Sequence, residues 1–302
     1  MWFKNIRFYR FSKPFRLNTK TLQDKLTTKA FKPCGKQDEF SIGWVSPFGP
    51  ESTELFHEIN GNILVCAKKQ ERVLPSAVIN EALIEKVETI KIEQDRGVSR
   101  KERSDIRDEV IFDLRPRAFT RSHLTYAYLS SEAQILCVDS SSANKADDFT
   151  SLLRESLGKL PAILPNLKHA PSRAMTRWIR NQKTPADFEL QDECELRDTR
   201  DESSVVRCKG QDLLGDEVQL HLESGKEVVK LALEWKEQIS FVLQDDISIK
   251  RLKFSDLIME QADDQGGDDA ASRLDADFAL MSMEIDRFIP RLLHVLGGEE
   301  ET

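Results

Sequence analysis

The chain has 302 residues, of which 39% are hydrophobic, so it has enough apolar side chains to build one large domain or two ordinary ones. This composition excludes a wholly disordered chain, and a formal net charge of −8 argues against a uniformly basic nucleic-acid binder. The charge is nevertheless segregated. Residues 1–36 carry ten basic residues and one acidic residue, whereas residues 255–302 carry three basic residues and thirteen acidic residues. An anionic partner would therefore meet a local surface and not the mean charge.

The cysteines and the hydropathy indicate a reduced cytoplasmic protein. The five cysteines are an odd number, with no C-x-x-C pair and no histidine at metal-ligand spacing, which argues against a structural zinc site. No stretch approaches the roughly twenty apolar residues that a membrane span needs, and the N-terminus lacks the apolar core of a secretion signal. We predict no cofactor, no bound metal and no contact with a membrane.

The first third of the chain reads as strands around one short helix. A strand containing Ile6 and Phe8 comes first, then a helix from Asn18, then strands at 40–45, 55–60 and 62–73. The last two strands flank Asn60-Gly61, a pair that tolerates positive φ and so predicts a tight hairpin.

After residue 74 the apolar residues recur at helical spacing. This pattern predicts a projecting helical hairpin over residues 75–115. Pro75 suits the first turn of a helix, a break follows at Gly97, and a second helix runs from Ser99 to the Arg115-Pro116 step. The outer faces of both helices are densely charged.

Strands and helices alternate irregularly after the hairpin. Strands are expected at 124–129, 133–139 and 160–164, with a helix between the last two. Residues 161–185 contain four prolines and are the best candidate for a domain junction. Beyond them we expect strands at 188–196, 205–208, 227–235, 238–243 and 247–254, with a short helix at 218–222.

The C-terminal part contains an acidic segment and an apolar stripe. Residues 263–269 are predicted to be a solvated loop. The apolar residues from Leu274 to Val295 recur at spacings of four and three, which is typical of a core-packing helix; a coiled-coil seam is the alternative, although Pro290 lies inside it.

Together these elements predict an α+β fold with mainly antiparallel sheets and two domains in each protomer. We assign residues 1–74 and 116–165 to an N-terminal α+β domain. Residues 75–115 form the hairpin, a dimer contact, and residues 166–302 form a C-terminal α+β domain with an acidic helical end.

The sequence contains no persuasive enzyme motif. Three Gly-Lys steps lack the upstream glycine of a phosphate-binding loop, and neither G-x-G-x-x-G nor G-x-S-x-G follows a predicted strand. Asp245-Asp246 and the carboxylates of residues 263–269 keep open a metal-dependent nuclease, although consecutive acids between strands most often make a turn and the spacing in 263–269 does not fit a calcium-binding loop.

Basic and aromatic residues form a more informative pattern at the exit of the hairpin. The run from Arg115 to Arg121 places the guanidinium groups of Arg115, Arg117 and Arg121 around Phe119. Arginine offers several donors to phosphate oxygens, and an aromatic ring can stack on a base or wedge between base steps. The alternative is that Phe119 is a core anchor and the arginines cap a helix.

A second basic group lies in the C-terminal half, in the run Arg207-Cys208-Lys209-Gly210-Gln211 together with Lys226 and Lys230; Gln211 is its polar, uncharged member. Strand alternation predicts Lys226 and Lys230 on one side of a strand, with Val229, Leu231, Leu233 and Trp235 on the other. This pattern suits a phosphate-binding face, and an ordinary solvated strand face explains it too. The dispersed basic residues of 4–36 are a third candidate phosphate track.

Several blocks taken together resemble the RdgC recombination-associated proteins of proteobacteria. The resemblance covers nearly the whole chain and rests on WFKN at 2–5, FKPCGKQDEFSIGWVSPFG at 31–49, LPSAVINEAL at 74–83, DEVIFDLRPRAFTR at 108–121, KLALEWKEQISFVLQDDISIKRLKF at 230–254 and RLDADFALM at 273–281.

The resemblance implies a nucleoid-associated, non-enzymatic protein that forms a ring-shaped homodimer around double-stranded DNA with little sequence preference. It also implies restraint of the RecA recombinase by occupying DNA, with binding of single-stranded DNA left open. The family's Arg-x-Phe motif falls on Arg117 and Phe119, and its inner-surface positions fall on Gln211 and Lys226. One departure is that Gly210 stands where the family pattern leads us to expect a second lysine before Gln211.

A closed two-fold ring needs two interfaces. We expect one at the hairpin and the other as strand addition at an edge of the C-terminal domain. The alternatives from other classes are the nuclease or repair enzyme, and an adaptor that contacts the recombinase directly.

Overall fold

The computed structural model describes residues 1–201 and 203–300. They form an α+β fold, as predicted, in which twelve strands make one sheet and eight α-helices pack around it or project from it. The strands are β1 (Ile6–Phe11), β2 (Phe40–Val45), β3 (Phe56–Ile59), β4 (Asn62–Val73), β5 (Phe119–Ser130), β6 (Ile135–Asp139), β7 (Ala162–Ile163), β8 (Phe188–Asp198), β9 (Val205–Lys209), β10 (Lys226–Trp235), β11 (Ile239–Gln244) and β12 (Ile249–Phe254). The helices are α1 (Thr19–Thr27), α2 (Ser76–Gln94), α3 (Arg100–Leu114), α4 (Ala143–Leu157), α5 (Pro171–Arg180), α6 (Asp216–Glu223), α7 (Asp256–Gln265) and α8 (Ala270–Val295).

The sheet runs through both halves of the chain in the order β2-β4-β5-β6-β1-β12-β11-β10-β8-β9, with β3 also on β4 and β7 also on β1. Each of the strand pairings in the described part of the chain is antiparallel. The halves join where Ile6 of β1 faces Ile249 of β12, and the Leu252 amide donates to the Lys4 carbonyl at 2.8 Å. This short junction places β1 beside a strand about 240 residues later in sequence.

Local sequence explains several boundaries. Asn18 caps α1, and Asn60 and Gly61 both take positive φ in the β3–β4 turn, as predicted. In the hairpin, the Ser99 side chain accepts from the Glu102 amide at the start of α3, which is a capping box.

Three apolar clusters hold the elements together. One lies between α1, α4 and the N-terminal half of the sheet, and a second holds α2 against α3 through Ile79, Leu83, Val87, Ile106 and Val110. The third and largest cluster reaches from Phe3 and Tyr128 to Leu296 and so crosses both halves. Helix α8 lies in this third cluster with Phe278, Met281, Ile285 and Phe288 fully buried, which confirms the core-packing interpretation of its stripe.

One helix was not predicted from the sequence, and one predicted loop is wrong. The proline-rich segment 161–185 contains α5, a helix that the prolines obscured because Pro171 occupies its first turn, where a missing amide costs nothing. The predicted acidic loop is also partly helical, since Asp263 and Asp264 belong to α7 and the Asp269 side chain caps α8.

Asp286 of α8 ties the C-terminal helix to the N-terminal strands. Its carboxylate accepts hydrogen bonds from the Tyr128 hydroxyl at 2.9 Å, the Ser130 hydroxyl at 2.8 Å and the Asn62 amide at 3.0 Å. Burial raises the pKa of Asp286, although the three hydrogen bonds oppose that shift. The contact joins residues more than 150 positions apart in sequence.

We expect Asp286→Ala to lower the free energy of unfolding by about 3 kcal/mol, because it leaves buried donors without an acceptor. Chemical denaturation measures the change, and Asp264→Ala, on the exposed side of α7, is the control. Equal stabilities for the two variants would show that Asp286 does not join the halves.

Candidate nucleic-acid interface

The hairpin exit is a tight turn between α3 and β5. A 3-10 turn over Arg115–Arg117 follows α3, and its last hydrogen bond runs from the Ala118 amide to the Arg115 carbonyl at 3.2 Å. Phe119 then opens β5 opposite Val73. The turn therefore sits where the two-helix hairpin meets the sheet.

Arg72 of β4 holds this turn and was not singled out in the sequence. Its guanidinium donates to the Ala118 carbonyl at 3.0 Å and to the Gly35 carbonyl at 3.1 Å, with a longer contact to the Pro116 carbonyl. Nothing in the sequence distinguishes Arg72 from other strand arginines, because its role depends on contacts between β4, the loop at Gly35 and the hairpin exit. We regard it as a positioning residue.

Phe119 is 87% exposed, so the interpretation of this ring as a core anchor is wrong. A phenylalanine held in water at the start of a strand leaves a large apolar surface uncovered. The ring is available to stack on a planar group or to enter a gap between two of them.

The three arginines of the run differ in their partners. Arg115 donates to the Gln37 carbonyl at 3.2 Å, and Arg121 pairs with Glu71 at 2.8 Å. The hydrogen bond from Arg121 lowers the pKa of Glu71 and keeps it a carboxylate. Arg117 is exposed and makes neither an ion pair nor a side-chain hydrogen bond with the residues that the structure describes. Arg117 and Phe119 are thus the two side chains of this turn that are exposed and available to contact a ligand.

In the second basic group, the structure separates Lys226 from Lys230. A bulge in β10 leaves Val229 without a partner on β8, because Val228 faces Leu196 while Lys230 faces Glu195. The extra residue reverses the alternation, so Lys226 shares its side of the sheet with Val228 and Lys230 lies on the other. The prediction that both lysines share one side is wrong.

Lys230 belongs to a charge network on the sheet face away from the core. Its ammonium group and the Arg207 guanidinium each lie 2.9 Å from Glu195, whose side chain is almost buried. Burial raises the pKa of Glu195, but the hydrogen bonds from Lys230 and Arg207 outweigh it and lower the pKa overall. Lys230 therefore shares its carboxylate partner with Arg207 and with Arg197, whose guanidinium lies 3.7 Å from Glu195.

Lys209 and Gln211 are exposed at the end of β9, where the Gln211 amide donates to the Asp192 carbonyl at 3.4 Å. Gly210 between them has φ +65°, and a Cβ there would meet nothing within 4 Å. A left-handed turn favours glycine, which accounts for the missing lysine.

The site residues form separate groups within one protomer. Four strands lie between β5 and β10, a separation along the sheet of about 24 Å at ~4.8 Å per strand. Lys226 faces Asp198 at the end of β8, while Gln211 contacts Asp192 near the middle of that strand, so these two lie roughly 20 Å apart along it. The structure brings together the turn residues Arg115 to Arg121 and, as a separate pair, Lys209 and Gln211 at the end of β9.

Two of the acidic residues considered for a metal, Asp246 and Asp269, have structural roles, and Asp269 caps α8. Asp246 pairs with Arg7 at 2.6 Å and accepts from the Ser248 amide, closing the β11–β12 turn. Within residues 1–201 and 203–300, no group of three His, Cys, Asp or Glu side chains has an arrangement that could hold a metal ion. Among those same residues, no helix is both long and apolar enough to cross a membrane.

Comparison with known proteins gives full-length matches. The family model described as "Putative exonuclease, RdgC" matches residues 1–299. The "Recombination-associated protein RdgC" of Aeromonas hydrophila is 48% identical over 302 residues and the whole of both chains. Proteins of the same name from Tolumonas auensis and Yersinia enterocolitica are 44% and 43% identical, each over at least 99% of both chains.

A match of this length and identity places the chain among proteins named for an association with recombination. The chain belongs to the RdgC family. The resemblance drawn from the sequence blocks is confirmed.

We expect Arg72→Met to loosen the hairpin exit, because it removes charged hydrogen bonds to the backbone worth about 2 kcal/mol. Hydrogen exchange of a peptide covering residues 115–120 should become roughly 30-fold faster. Arg121→Met, which removes only the ion pair with Glu71, is the control. Equal exchange in the two variants would show that Arg72 does not hold the turn.

Proposed function

We propose that this chain is a non-enzymatic, sequence-independent DNA-binding protein that encircles double-stranded DNA as a homodimeric ring. By occupying DNA it restrains RecA-mediated recombination in the nucleoid. The observation that carries the proposal is the exposed Arg117–Phe119 pair on a turn held by Arg72, in a family whose relatives are named for recombination.

The chemistry of the turn suits contact with DNA. An uncommitted guanidinium can donate to two phosphate oxygens, and an exposed ring can stack on a base or wedge between base steps. Neither contact depends strongly on base identity, since every strand offers phosphates and aromatic faces. Binding through such groups releases counterions and weakens steeply with salt.

Exposed apolar residues support a dimer contact at the hairpin. Val78, Ile84, Ile92 and Phe112 are 44%, 48%, 82% and 57% exposed, although the hairpin has an apolar core of its own. Such a surface is more typical of an interface than of a solvated hairpin.

The far edge of the sheet supports the second contact. Strand β9 is last in the strand order, and on its outer side no strand of the described residues pairs with it. Its counterpart in a second protomer could add to this edge by antiparallel pairing, so that two different two-fold contacts close a ring.

The ring also reconciles the scattered basic groups. A lining made from two protomers brings together residues that lie tens of ångströms apart in one. The excess of acidic residues in 255–302 would then lie outside the channel, and the basic side chains would line it. A net charge of −8 is therefore compatible with DNA binding.

The description of the matching family model favours a second candidate, an exonuclease. Labelled duplex incubated with the protein and Mg²⁺ or Mn²⁺ separates the two functions. Intact DNA in a stable complex supports the binding protein, and shortened fragments that increase with protein concentration support the nuclease.

An adaptor that contacts the recombinase directly is the remaining alternative. Inhibition of RecA strand exchange by a variant that no longer binds DNA would support the adaptor. If the variant loses both DNA binding and inhibition, the result supports inhibition by occupying DNA.

We expect Arg117→Ala and Phe119→Ala each to weaken duplex binding by roughly 5- to 100-fold, the range for losing one stacking or charged contact. The salt slope is the steepness with which the logarithm of the binding constant falls with the logarithm of the salt concentration. Arg117→Ala should reduce this slope by about one for each protomer engaged, whereas Phe119→Ala should leave it unchanged. Anisotropy titrations across salt measure both quantities. Arg154→Ala, an exposed arginine of α4, is the control. Parental affinity in both variants, with the dimer intact, would contradict the site.

We expect Gly210→Lys to tighten duplex binding and increase the salt slope by about one for each protomer engaged, because it restores a cation beside Lys209 in open space. The left-handed backbone should cost about 1–2 kcal/mol of stability. Gly210→Gln has the same backbone strain without the charge and is the matched control. Equal affinities for the lysine and glutamine variants would remove this turn from the DNA contact.

A further inference from the structure

Helix α5 has one buried face and one basic face. Ala174, Met175, Trp178 and Ile179 are buried in the largest core cluster. The exposed positions of the helix are Arg173, Arg177 and Arg180. Their spacing of four and three residues aligns them in a single stripe along a rigidly packed helix.

The stripe borders a groove of about 440 Å³ between α5, the end of β8 and the start of β10. Lys226 lies in the same groove, and its other polar lining residues include Thr176, Asn181 and Thr199. The Val228 amide donates to the Thr176 hydroxyl at 2.8 Å, which fixes α5 against β10 beside Lys226. The arginines are thus continuous with an inner-surface position expected of the family.

The groove has an excess of uncompensated positive charge. Among residues 1–201 and 203–300, no carboxylate lies within 4.0 Å of the Arg173 or Arg177 guanidinium. Arg180 donates to the Leu222 carbonyl at 3.3 Å and Lys226 is 3.9 Å from Asp198. The one carboxylate lining the groove, Glu227, already accepts from the Ser172 hydroxyl at 2.8 Å.

The dimensions suit a nucleic-acid strand. From Arg173 to Arg180 the helix rises about 10 Å at ~1.5 Å per residue. One strand of duplex DNA presents a phosphate every ~3.4 Å of axis, so the stripe spans about three of them. The lining contains no aromatic side chain on which a base could stack, so the groove would recognise phosphates and not bases.

We propose that the groove between α5 and β10 binds the phosphodiester backbone of DNA, with Arg173 and Arg177 as its principal contacts and Lys226 as its inner end. This inference rests on the proposed function and extends it, since it adds a phosphate contact on a different element from the Arg117–Phe119 turn. It accounts for binding that is insensitive to sequence, because phosphate contacts carry no base information.

The test compares Arg173→Glu/Arg177→Glu with Arg154→Glu/Lys159→Glu, an equal charge reversal at exposed residues of α4 and the turn after it. Anisotropy titrations of the full-length protein with a 30-base-pair duplex should show a loss of roughly 10- to 100-fold for the α5 variant, with a salt slope reduced by about two for each protomer engaged. The α4 variant should lose much less. If the charge-reversed protein does not fold, Arg173→Gln/Arg177→Gln should still reduce the slope by about two for each protomer engaged.

Two failures are distinguishable. A parental protein that does not bind the duplex would overturn the proposed function itself. A parental protein that binds, with an α5 variant that matches the α4 variant in affinity and slope, would overturn only the groove.

A footprint separates the DNA backbone from free phosphate. Duplex should shield Arg173 and Arg177 from modification by phenylglyoxal, and inorganic phosphate at the same ionic strength should shield them far less. Equal shielding by inorganic phosphate would contradict a DNA contact and indicate a small-anion site.

Discussion

Helix α8 is the constraint on which the rest of the structure depends. The sheet is continuous across the two halves of the chain, but the join between β1 and β12 is short, and strands joined so briefly would not by themselves hold two halves in one orientation. Helix α8 lies in the core cluster that crosses the join, and Asp286 accepts three hydrogen bonds from the N-terminal strands. A buried carboxylate with three donors requires a specific geometry. Asp286 therefore fixes the orientation of α8 relative to the N-terminal strands as well as adding stability.

That fixed orientation matters because the basic groups lie on both sides of the join. The Arg117–Phe119 turn belongs to β5 and its hairpin, whereas Lys209, Gln211 and the α5 groove belong to the C-terminal strands. A rod of DNA can touch all of them only if the two halves keep a constant relation. The scaffold is therefore as much a part of the proposed interface as the arginines are.

Much of the fold follows from local patterns, and the exceptions have identifiable causes. Alternation and turn residues predict the limits of β2 and β4 to the residue, and the Asn60-Gly61 turn follows from its tolerance of positive φ. Helix α5 was missed because prolines were taken as breaks, although Pro171 can begin a helix. The bulge at Val229 reverses the side on which Lys226 lies, and nothing in the local sequence marks it. The exposure of Phe119 depends on the packing of the hairpin exit and could not be decided from spacing.

The central claim is that a closed ring surrounds DNA, and topology tests it most directly. Protein loaded on a closed circular plasmid should stay bound through a wash in high salt, because a ring is linked to the circle even when its phosphate contacts are screened. Cutting the plasmid once should release it, since the ring can then slide from the end. Equal release from circular and linear DNA at the same salt would show that the protein binds the surface of the duplex without encircling it.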